Sequence, residues 1–228
     1  ASDVYKRQVR KGDEKISLNY PLDKNSVVFD IGAYTGNWSI AINKKYNCNI
    51  YAFEPVKKYF NRLSQKTINN EKVKKEDPMF GLEQEFFFMK DGAPLGMKKL
   101  ETTMQALKAQ GDYYCGVGPQ NVYGRNSAEH VLNNVLATDI WCTGMNFEVA
   151  PGQCEFQIFG VGIDAADSLL LFRYILQRTA EIYYTKVEFH PKHVKGDWNG
   201  SGCHTNYSTT STRMENGIDT ICLLYTSD

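Results

Sequence analysis

Glu83 and Glu85 are the residues of this sequence best suited to bind a metal ion. They stand two positions apart in the segment 81–89, whose alternation predicts a β-strand, so both carboxylates point to one face. Neighbouring carboxylates repel each other unless a proton or a cation lies between them. Because three phenylalanines follow directly, a divalent metal ion is the partner that costs least. A solvated strand face is the ordinary alternative for a lone E-x-E pair.

Two further acids and one histidine extend this set. Glu148 and Glu155 flank a Pro-Gly turn, which predicts that they lie on adjacent strands. His204 is expected on another strand, whose close approach Gly200 and Gly202 would allow. Four carboxylates with one imidazole favour Mg²⁺ or Mn²⁺ over zinc. Since a lone histidine on a strand is usually structural, the metal interpretation depends on the whole set.

Two helices are predicted to cover the strands that carry these residues. The first has apolar residues at helical spacing from Ala128 to Leu136 and is opened by a capping box, Asn126-x-x-Glu129. The second is longer, with Asp164 as its N-cap. It is expected to bury the side formed by Leu169, Phe172, Leu176 and Tyr183.

The N-terminal part of the chain has a different pattern, with strands that alternate with helices. Short apolar runs at 26–32 and 49–53 predict buried parallel strands, and a helix follows each. The expected core faces of these helices are Trp38, Ile42 and Tyr46 in the first, and Val56, Tyr59, Phe60 and Leu63 in the second. A β-α-β-α order implies a right-handed crossover.

A nucleotide-type binding site is predicted where these strands end. Glycines after the first strand let a ligand approach the backbone, and an acid after the second accepts hydrogen bonds from a ribose diol. The motifs D-I-G-A-Y-T-G-N-W-S and Y-A-F-E-P resemble those of FkbM-type S-adenosylmethionine-dependent methyltransferases. The resemblance implies that Asp30, Gly32 and Gly36 border S-adenosylmethionine and that Glu54 holds its ribose. A glycine turn in some other α/β protein is the alternative. Since the match covers only residues 9–75, no methylation is expected.

Six segments, in order from about Pro78 to Ile221, resemble glutamine synthetase of the eukaryotic-like type. They are F-G-L-E-Q-E-F, D-G-A-P-L-G, Y-Y-C-G-V-G, V-Y-G-R, N-F-E-V-A-P-G-Q-C-E-F-Q and G-D-W-N-G-S-G-C-H-T-N-Y-S. The resemblance implies an α+β fold class: a partial catalytic domain with a curved antiparallel sheet and helices. A truncated Rossmann-like β-α-β-α unit would precede it.

This resemblance assigns roles to the polar residues of the segments, without identifying a catalytic residue. It places the five potential ligands in two metal sites, Glu85, Glu148 and Glu155 in one, Glu83 and His204 in the other. It assigns substrate contacts to Asn199 and Gly200 for glutamate, and to Asn206 and Ser208 for ATP. The implied reaction forms γ-glutamyl phosphate and ADP from glutamate and ATP, and ammonia then displaces phosphate. The family also forms ring homo-oligomers.

Several departures from the family pattern favour weak metal binding and no turnover. Phe147 stands where the family usually has a small residue, and Cys154 replaces a usual tryptophan. The family's later arginines, its final metal-binding glutamate and its N-terminal β-grasp domain have no counterpart in this sequence. An inert chimera is therefore one alternative to a ligase. A fused FkbM-type methyltransferase whose missing strands are supplied elsewhere is the other.

The two ends of the sequence are related to each other through their coding DNA. Back-translation of residues 2–8, SDVYKRQ, has a reverse complement that encodes the start of residues 222–228, CLLYTSD, in a shifted frame. This relation is typical of a sequencing adapter translated at both ends of an insert. The predicted division is adapter at 1–8 and 222–228, a methyltransferase fragment at 9–75 and a glutamine synthetase fragment at 76–221.

Composition agrees with two parts and excludes several partner classes. The 228 residues carry 26 basic and 26 acidic side chains, which provides no overall attraction to nucleic acid or anionic membranes. Residues 9–75 contain 13 basic and 6 acidic residues, against 11 and 18 in residues 76–221. No apolar run approaches the roughly 18 residues of a membrane span. Five cysteines outside the ends, without a C-x-x-C pair or a secretory leader, predict reduced thiols and a cytoplasmic protein.

Overall fold

A computed structural model describes residues 18–101 and 103–226, which form two compact units. One unit comprises residues up to Pro78 together with those from Ser208 onward, and the other spans Met79–Tyr207. The predicted adapter at residues 1–8 lies outside the described residues, as do the last two residues of the predicted C-terminal adapter. No helix among the described residues is long and apolar enough to cross a membrane.

The first unit contains a parallel three-stranded sheet in the order β1-β2-β3. Its elements are β1 Val27–Ile31, α1 Asn37–Tyr46, β2 Asn49–Phe53, α2 Lys57–Lys66 and β3 Val73–Glu76. The predicted order of strands and helices and the parallel pairing of β1 with β2 are confirmed. Strand β3 was not predicted, because lysines 74 and 75 interrupt the apolar pattern expected of a buried strand. Every residue of β3 nevertheless pairs with a residue of β2.

The core of this unit is formed where the helices cover the sheet. Ile42 of α1 and Leu63 of α2 are fully buried against Ile50 of β2 and Val73 of β3. Trp38 and Tyr46 pack at its margin, as predicted. The predicted apolar face of α2 is wrong at its start, since Val56 is exposed and precedes the helix as its N-cap.

The second unit is built on an antiparallel sheet with helices on one face. Its elements are β4 Met79–Lys90, β5 Ala93–Pro94, β6 Met97–Lys99, β7 Met104–Ala106, α3 Arg125–Leu136, β8 Trp141–Phe147, β9 Gln153–Val161, α4 Ile163–Ile182, β10 Lys186–Glu188 and β11 Cys203–Ser208. The sheet order is β10-β4-β9-β8, with β5 and β11 also paired to β4. Strands β6 and β7 form a separate hairpin. The described chain ends with a 3₁₀ turn, Ser211–Arg213, and helix α5, Gly217–Thr226. Both belong to the first unit, as does Ser208, the last residue of β11.

Alternate residues of β4 and β9 form the core against α3 and α4. The fully buried members include Phe86, Phe88, Phe156, Ile158, Phe172 and Leu176. Burying a side chain of this size contributes about 1.5–3 kcal/mol relative to exposure. Since side chains on a strand alternate, the same register sends the residues between them to the opposite face of the sheet.

Both predicted helix caps are wrong. Helix α3 begins at Arg125, after Gly124, and no side chain caps it, so Asn126 and Glu129 lie inside the helix. Helix α4 begins after Gly162, and Asp164 is in its first turn. Gly124 has φ +98°, and a Cβ there would lie 2.8 Å from the Phe88 ring, so tertiary packing and not a capping side chain determines where α3 starts.

Candidate functional site

Three acidic side chains lie on the sheet face away from the helices. Glu83 and Glu85 share this face of β4, as predicted, and Glu85 is directly opposite Glu155 of β9. Glu83 is opposite Gln157. Their sequence neighbours Phe86 and Phe156 point into the helix-covered core. The period-2 pattern therefore separates an acidic face from an apolar one across a single sheet layer.

Glu148 joins this face at the end of β8. Its backbone N–H donates to the carbonyl of Gln153 at 3.0 Å across the turn that connects β8 with β9. Gly152 makes the turn possible, because its φ is +75° and a Cβ would lie 2.7 Å from the Leu95 carbonyl oxygen. The predicted turn between adjacent strands is confirmed. Glu155 lies on β9, as predicted, whereas Glu148 follows the last residue of β8.

Strand β11 brings His204 and Asn206 to Glu83. The His204 Nδ1 lies 3.7 Å from Glu83 Oε2, and the Asn206 amide donates to Glu83 Oε1 at 2.5 Å. The imidazole is largely exposed, with 74% of the side chain accessible. β11 is held against β4 by the Glu85 N–H, which donates to the Gly202 carbonyl at 3.0 Å. Ser208, at the end of the strand, accepts a hydrogen bond from Arg213.

A buried glutamine links the acidic face to the segment predicted to bind glutamate. Gln153 is 1% exposed, and its amide nitrogen donates to Glu85 Oε2 and to the Gly200 carbonyl, both at 2.9 Å. Both partners are acceptors, so the amide orientation is determined by them. The Asn199 N–H donates to the side chain of Gln110. Gln153 thus positions Glu85 and the Asn199–Gly200 segment together.

Other side-chain amides bind the remaining carboxylates. Gln157 donates to Glu155 and also to Asn146 Oδ1 at 2.6 Å. Asn146 in turn donates to Glu148 Oε1 at 2.8 Å. Sequence reasoning missed these amides, although the signal was present: residues 153, 155 and 157 are alternate positions of one strand and therefore share a face.

The predicted close approach of the glycines is confirmed at one position and wrong at the other. A Cβ on Gly200 would lie 2.2 Å from the Pro191 carbonyl oxygen, so the backbone here requires glycine. A Cβ on Gly202 would meet nothing within 4 Å. Gly202 contributes through its backbone instead, since its N–H lies 3.3 Å from Glu85 Oε2.

Burial and mutual repulsion raise the pKa of two carboxyl groups in this cluster. For Glu85, burial is the main cause, followed by the negative charge of Glu148, and the N–H of Gly202 and the Gln153 amide oppose the shift. Burial also raises the pKa of Glu155, with further contributions from Glu148, Glu83 and Glu85 against the hydrogen bond from Gln157. The four carboxylates therefore interact electrostatically as one group.

A divalent cation fits this donor set by charge and by ligand type. Four carboxylates, of which Glu85 and Glu155 have raised pKa values, together with one imidazole form the kind of arrangement that a hard or borderline cation neutralises. In the described part of the chain, no three His, Cys, Asp or Glu side chains already stand in a geometry that would hold an ion. The carboxylate oxygens of the cluster instead accept hydrogen bonds from side-chain amides.

The predicted nucleotide-type residues of the first unit also lie near one another. The Glu54 carboxylate accepts the backbone N–H groups of Tyr34 at 2.7 Å and Val56 at 2.8 Å and is 6% exposed. Asp30 accepts a hydrogen bond from Ser39, and burial raises its pKa, with a smaller contribution from Glu54.

Two glycines shape the turn between β1 and α1. Gly32 and Gly36 have φ of +84° and +76°, and a Cβ on Gly36 would collide with Leu63 at 2.3 Å. Glycine at position 36 is thus required by packing as well as by backbone conformation.

The antiparallel sheet, with two helices on one face and a carboxylate cluster on the other, defines an α+β domain with a candidate divalent-metal centre. Comparison with protein families agrees with this class. Residues 60–219 match the family described as glutamine synthetase, catalytic domain. The chain belongs to the glutamine synthetase catalytic-domain family. The matched range begins inside α2, upstream of residue 76, where the sequence pattern placed a domain boundary.

Individual relatives carry the same family name. The chain is 46% identical to a relative from Acanthamoeba polyphaga mimivirus over 177 residues. This match covers 76% of the chain and 48% of the relative. Identity is 44% to glutamine synthetase of Streptomyces viridochromogenes, over 63% of the chain and 41% of the relative. Identity to glutamine synthetase N-1 of Phaseolus vulgaris is 40%, over 76% of the chain and 49% of the relative. The chain spans about half the length of the curated relatives it matches.

Proposed function

We propose that this chain carries part of the active centre of a glutamate–ammonia ligase, with glutamate, ammonia and ATP as substrates. The observation that supports it best is the convergence of Glu83, Glu85, Glu148 and Glu155 on one sheet face beside His204, in a member of this family. Under this proposal Glu85, Glu148 and Glu155 hold one Mg²⁺ or Mn²⁺ ion. Glu83 and His204 hold a second.

The chemistry explains why such a cluster is needed. The side-chain carboxylate of glutamate attacks the terminal phosphorus of ATP, so that a C–O–P linkage forms and ADP leaves. Ammonia then attacks the acyl carbon, phosphate leaves, and a proton is released as the amide forms. Bound divalent ions supply charge neutralisation to reactants that are otherwise all anionic.

The residues of this chain would bind and orient the two anionic substrates. Asn199 and Gly200 are proposed to hold glutamate, and Asn206 and Ser208 to face ATP. Support comes from Gln153, which ties the Gly200 carbonyl to the metal-ligand candidate Glu85. Such a link holds the glutamate segment at a constant distance from the metal site, and correct positioning supplies much of the rate enhancement in phosphoryl transfer. Assembly of several copies into a ring belongs to the same proposal.

Titration of the full chain with Mn²⁺ tests the metal sites. Glu85→Gln and Glu148→Gln are each expected to weaken Mn²⁺ binding at least about tenfold, because each removes a charged ligand. Glu181→Gln, on the exposed end of α4, is the matched control and leaves affinity unchanged. Equal affinity in all four proteins would refute the metal assignment. Formation of γ-glutamyl hydroxamate with ATP and Mn²⁺ then measures the ligase reaction itself.

A second proposal concerns the first unit, which we infer to be a methyltransferase-type fragment of Rossmann-like form. The parallel β1-β2-β3 order, the two left-handed glycines after β1 and the acid after β2 support it. Calorimetry with S-adenosylmethionine is the test. Binding that Gly36→Val abolishes supports the fragment's origin, and heat of dilution alone supports an inert chimera.

The sequence relation between the two termini supports a further part of this proposal, that residues 1–8 and 222–228 are translated adapter. Helix α5 runs from Gly217 to Thr226 and so continues across residue 222. Inspection of the DNA reads at both ends and across the codons for residues 72–78 tests the adapters and the junction together. Uninterrupted genomic reads through all three places would refute the chimera.

A further inference from the structure

A cavity of about 600 Å³ lies on the helix side of the sheet, away from the acidic face. It is formed at the end of β4 and the start of α3, and Lys90, Gly124, Arg125 and Ser127 are among the residues that line it. Gly124 packs on Phe88, which belongs to the helix-covered core. The volume is in the range of sites for small molecules. None of the described residues that line it is acidic.

The first turn of α3 presents unpaired hydrogen-bond donors at this cavity. Gly124 is the N-cap residue but has no side chain that could accept a hydrogen bond, and the first turn of α3 contains no acidic residue. Among the described residues no acceptor meets the backbone N–H groups of Arg125, Asn126 and Ser127. Three free N–H groups and the positive end of the helix dipole favour an anion.

A buried hydroxyl points to a ligand independently of the helix end. Ser127 is 3% exposed, lines the cavity, and its Oγ has no hydrogen-bond partner in the described part of the chain. An unsatisfied buried hydroxyl costs roughly 1–3 kcal/mol, and such groups are rare in folded proteins. An acceptor oxygen delivered by a ligand would satisfy it.

Two cations complete the donor set. Lys90 forms no salt bridge within the described residues. Arg125 is shared, since one nitrogen lies 3.4 Å from Glu129 and another donates to the Gly116 carbonyl at 3.2 Å. Both cations stand at the same cavity as the free N–H groups and the unpartnered hydroxyl. The wall beside them is apolar and includes Leu95, Val122 and Tyr183.

We propose that this cavity binds a phosphate group, either as inorganic phosphate or as the phosphate of a small monoester whose apolar body contacts that wall. A tetrahedral dianion matches three N–H donors, a hydroxyl and two cations better than a carboxylate does, because it offers more acceptor oxygens. The site is separate from the carboxylate cluster and does not depend on the ligase proposal.

Amide NMR of the metal-free full chain tests this site, with inorganic phosphate titrated against chloride at constant ionic strength. EDTA keeps the acidic face free of cations, so that face repels the anion. The expected result is a saturable shift of the amides of Arg125, Asn126 and Ser127 that chloride does not produce. Saturable shifts confined to β4 and β9, or no saturable shift at all, would overturn the proposal.

Variants assign the donors. Lys90→Gln and Ser127→Ala are each expected to weaken phosphate binding about tenfold, as for loss of a hydrogen bond to a charged group. Lys98→Gln, an exposed lysine on β6, is the matched control and should bind as the parent does. Lys90 is itself exposed, so its substitution tests the site even if Ser127→Ala fails to fold. Unchanged affinity in Lys90→Gln would overturn the proposal.

Phenyl phosphate distinguishes the two sources of the group. Tighter binding than inorganic phosphate, with added shifts at Leu95 and Val122, identifies a monoester with an apolar body. Equal or weaker binding, with the same α3 amides shifted, identifies inorganic phosphate. Shifts at Leu95 and Val122 without any at the α3 amides would contradict a phosphate site here.

Discussion

Replacing Gln153 by Met removes the link between Glu85 and the Gly200 segment while keeping an unbranched side chain of similar size. The two hydrogen bonds lost are one to a carboxylate, worth about 1.5–3 kcal/mol, and one to a backbone carbonyl, worth about 0.5–1.5 kcal/mol. An opposing effect arises from Oε1, which is buried without a partner in the described part of the chain and costs roughly 1–3 kcal/mol. The net loss of stability expected is about 1–2 kcal/mol.

Urea unfolding in EDTA measures this loss, and amide hydrogen exchange locates it. Exchange is expected to accelerate at residues 199–202 more than in the β4–β9 core, because the Gly200 carbonyl loses its partner. Gln177→Met is the control, since Gln177 is exposed on α4. A change within about 0.5 kcal/mol of the control, with unaltered exchange at 199–202, would show that Gln153 positions neither partner.

Three further predictions follow from the same geometry. Because the pKa values of Glu85 and Glu155 are raised above their ordinary 4.5 in the folded protein, the metal-free chain should lose stability as the pH rises from about 4.5 through the raised values. Mn²⁺ should abolish this loss. A urea midpoint that stays constant from pH 4 to 7 would contradict the raised pKa values as its cause. Gly200→Ala should destabilise the protein by at least about 2 kcal/mol, because its Cβ would lie 2.2 Å from the Pro191 carbonyl oxygen. Gly202→Ala, whose Cβ would enter open space, should cost under about 0.5 kcal/mol. Thermal unfolding compares the two variants, and equal costs would refute the steric argument. Leu176→Ala should cost about 2–5 kcal/mol in urea unfolding because the side chain is fully buried under the sheet, and a cost like that of the exposed Leu170→Ala would mean that α4 does not pack as described.

Family membership was predicted correctly from the sequence, because a family is recognised from motifs in a fixed order and not from geometry. The strand that carries Glu83 and Glu85, and the turn between Glu148 and Glu155, were also predicted correctly. Local rules suffice for both: side chains alternate along any strand, and a Pro-Gly step favours reversal of the chain.

Helix ends and one strand could not be predicted locally. The start of α3 depends on Gly124 packing against Phe88, which is thirty-six positions away in the sequence. A capping-box motif is read from neighbouring residues alone, so it could not reveal this contact. Strand β3 depends on its partner β2, because pairing can override the weak strand preference of lysine.

The chain's own residues, read in order, determined the acidic character of one strand face, the family and the types of ligand that a metal would meet. Only the tertiary structure decided that Gln153 joins Glu85 to Gly200, that Glu85 lies opposite Glu155, and that an unpartnered hydroxyl and two cations share a cavity on the far side of the sheet. The physical reason is that charge and alternation are properties of neighbours in sequence, whereas strand register and the fate of each hydrogen-bond donor depend on residues distant in sequence that packing brings together.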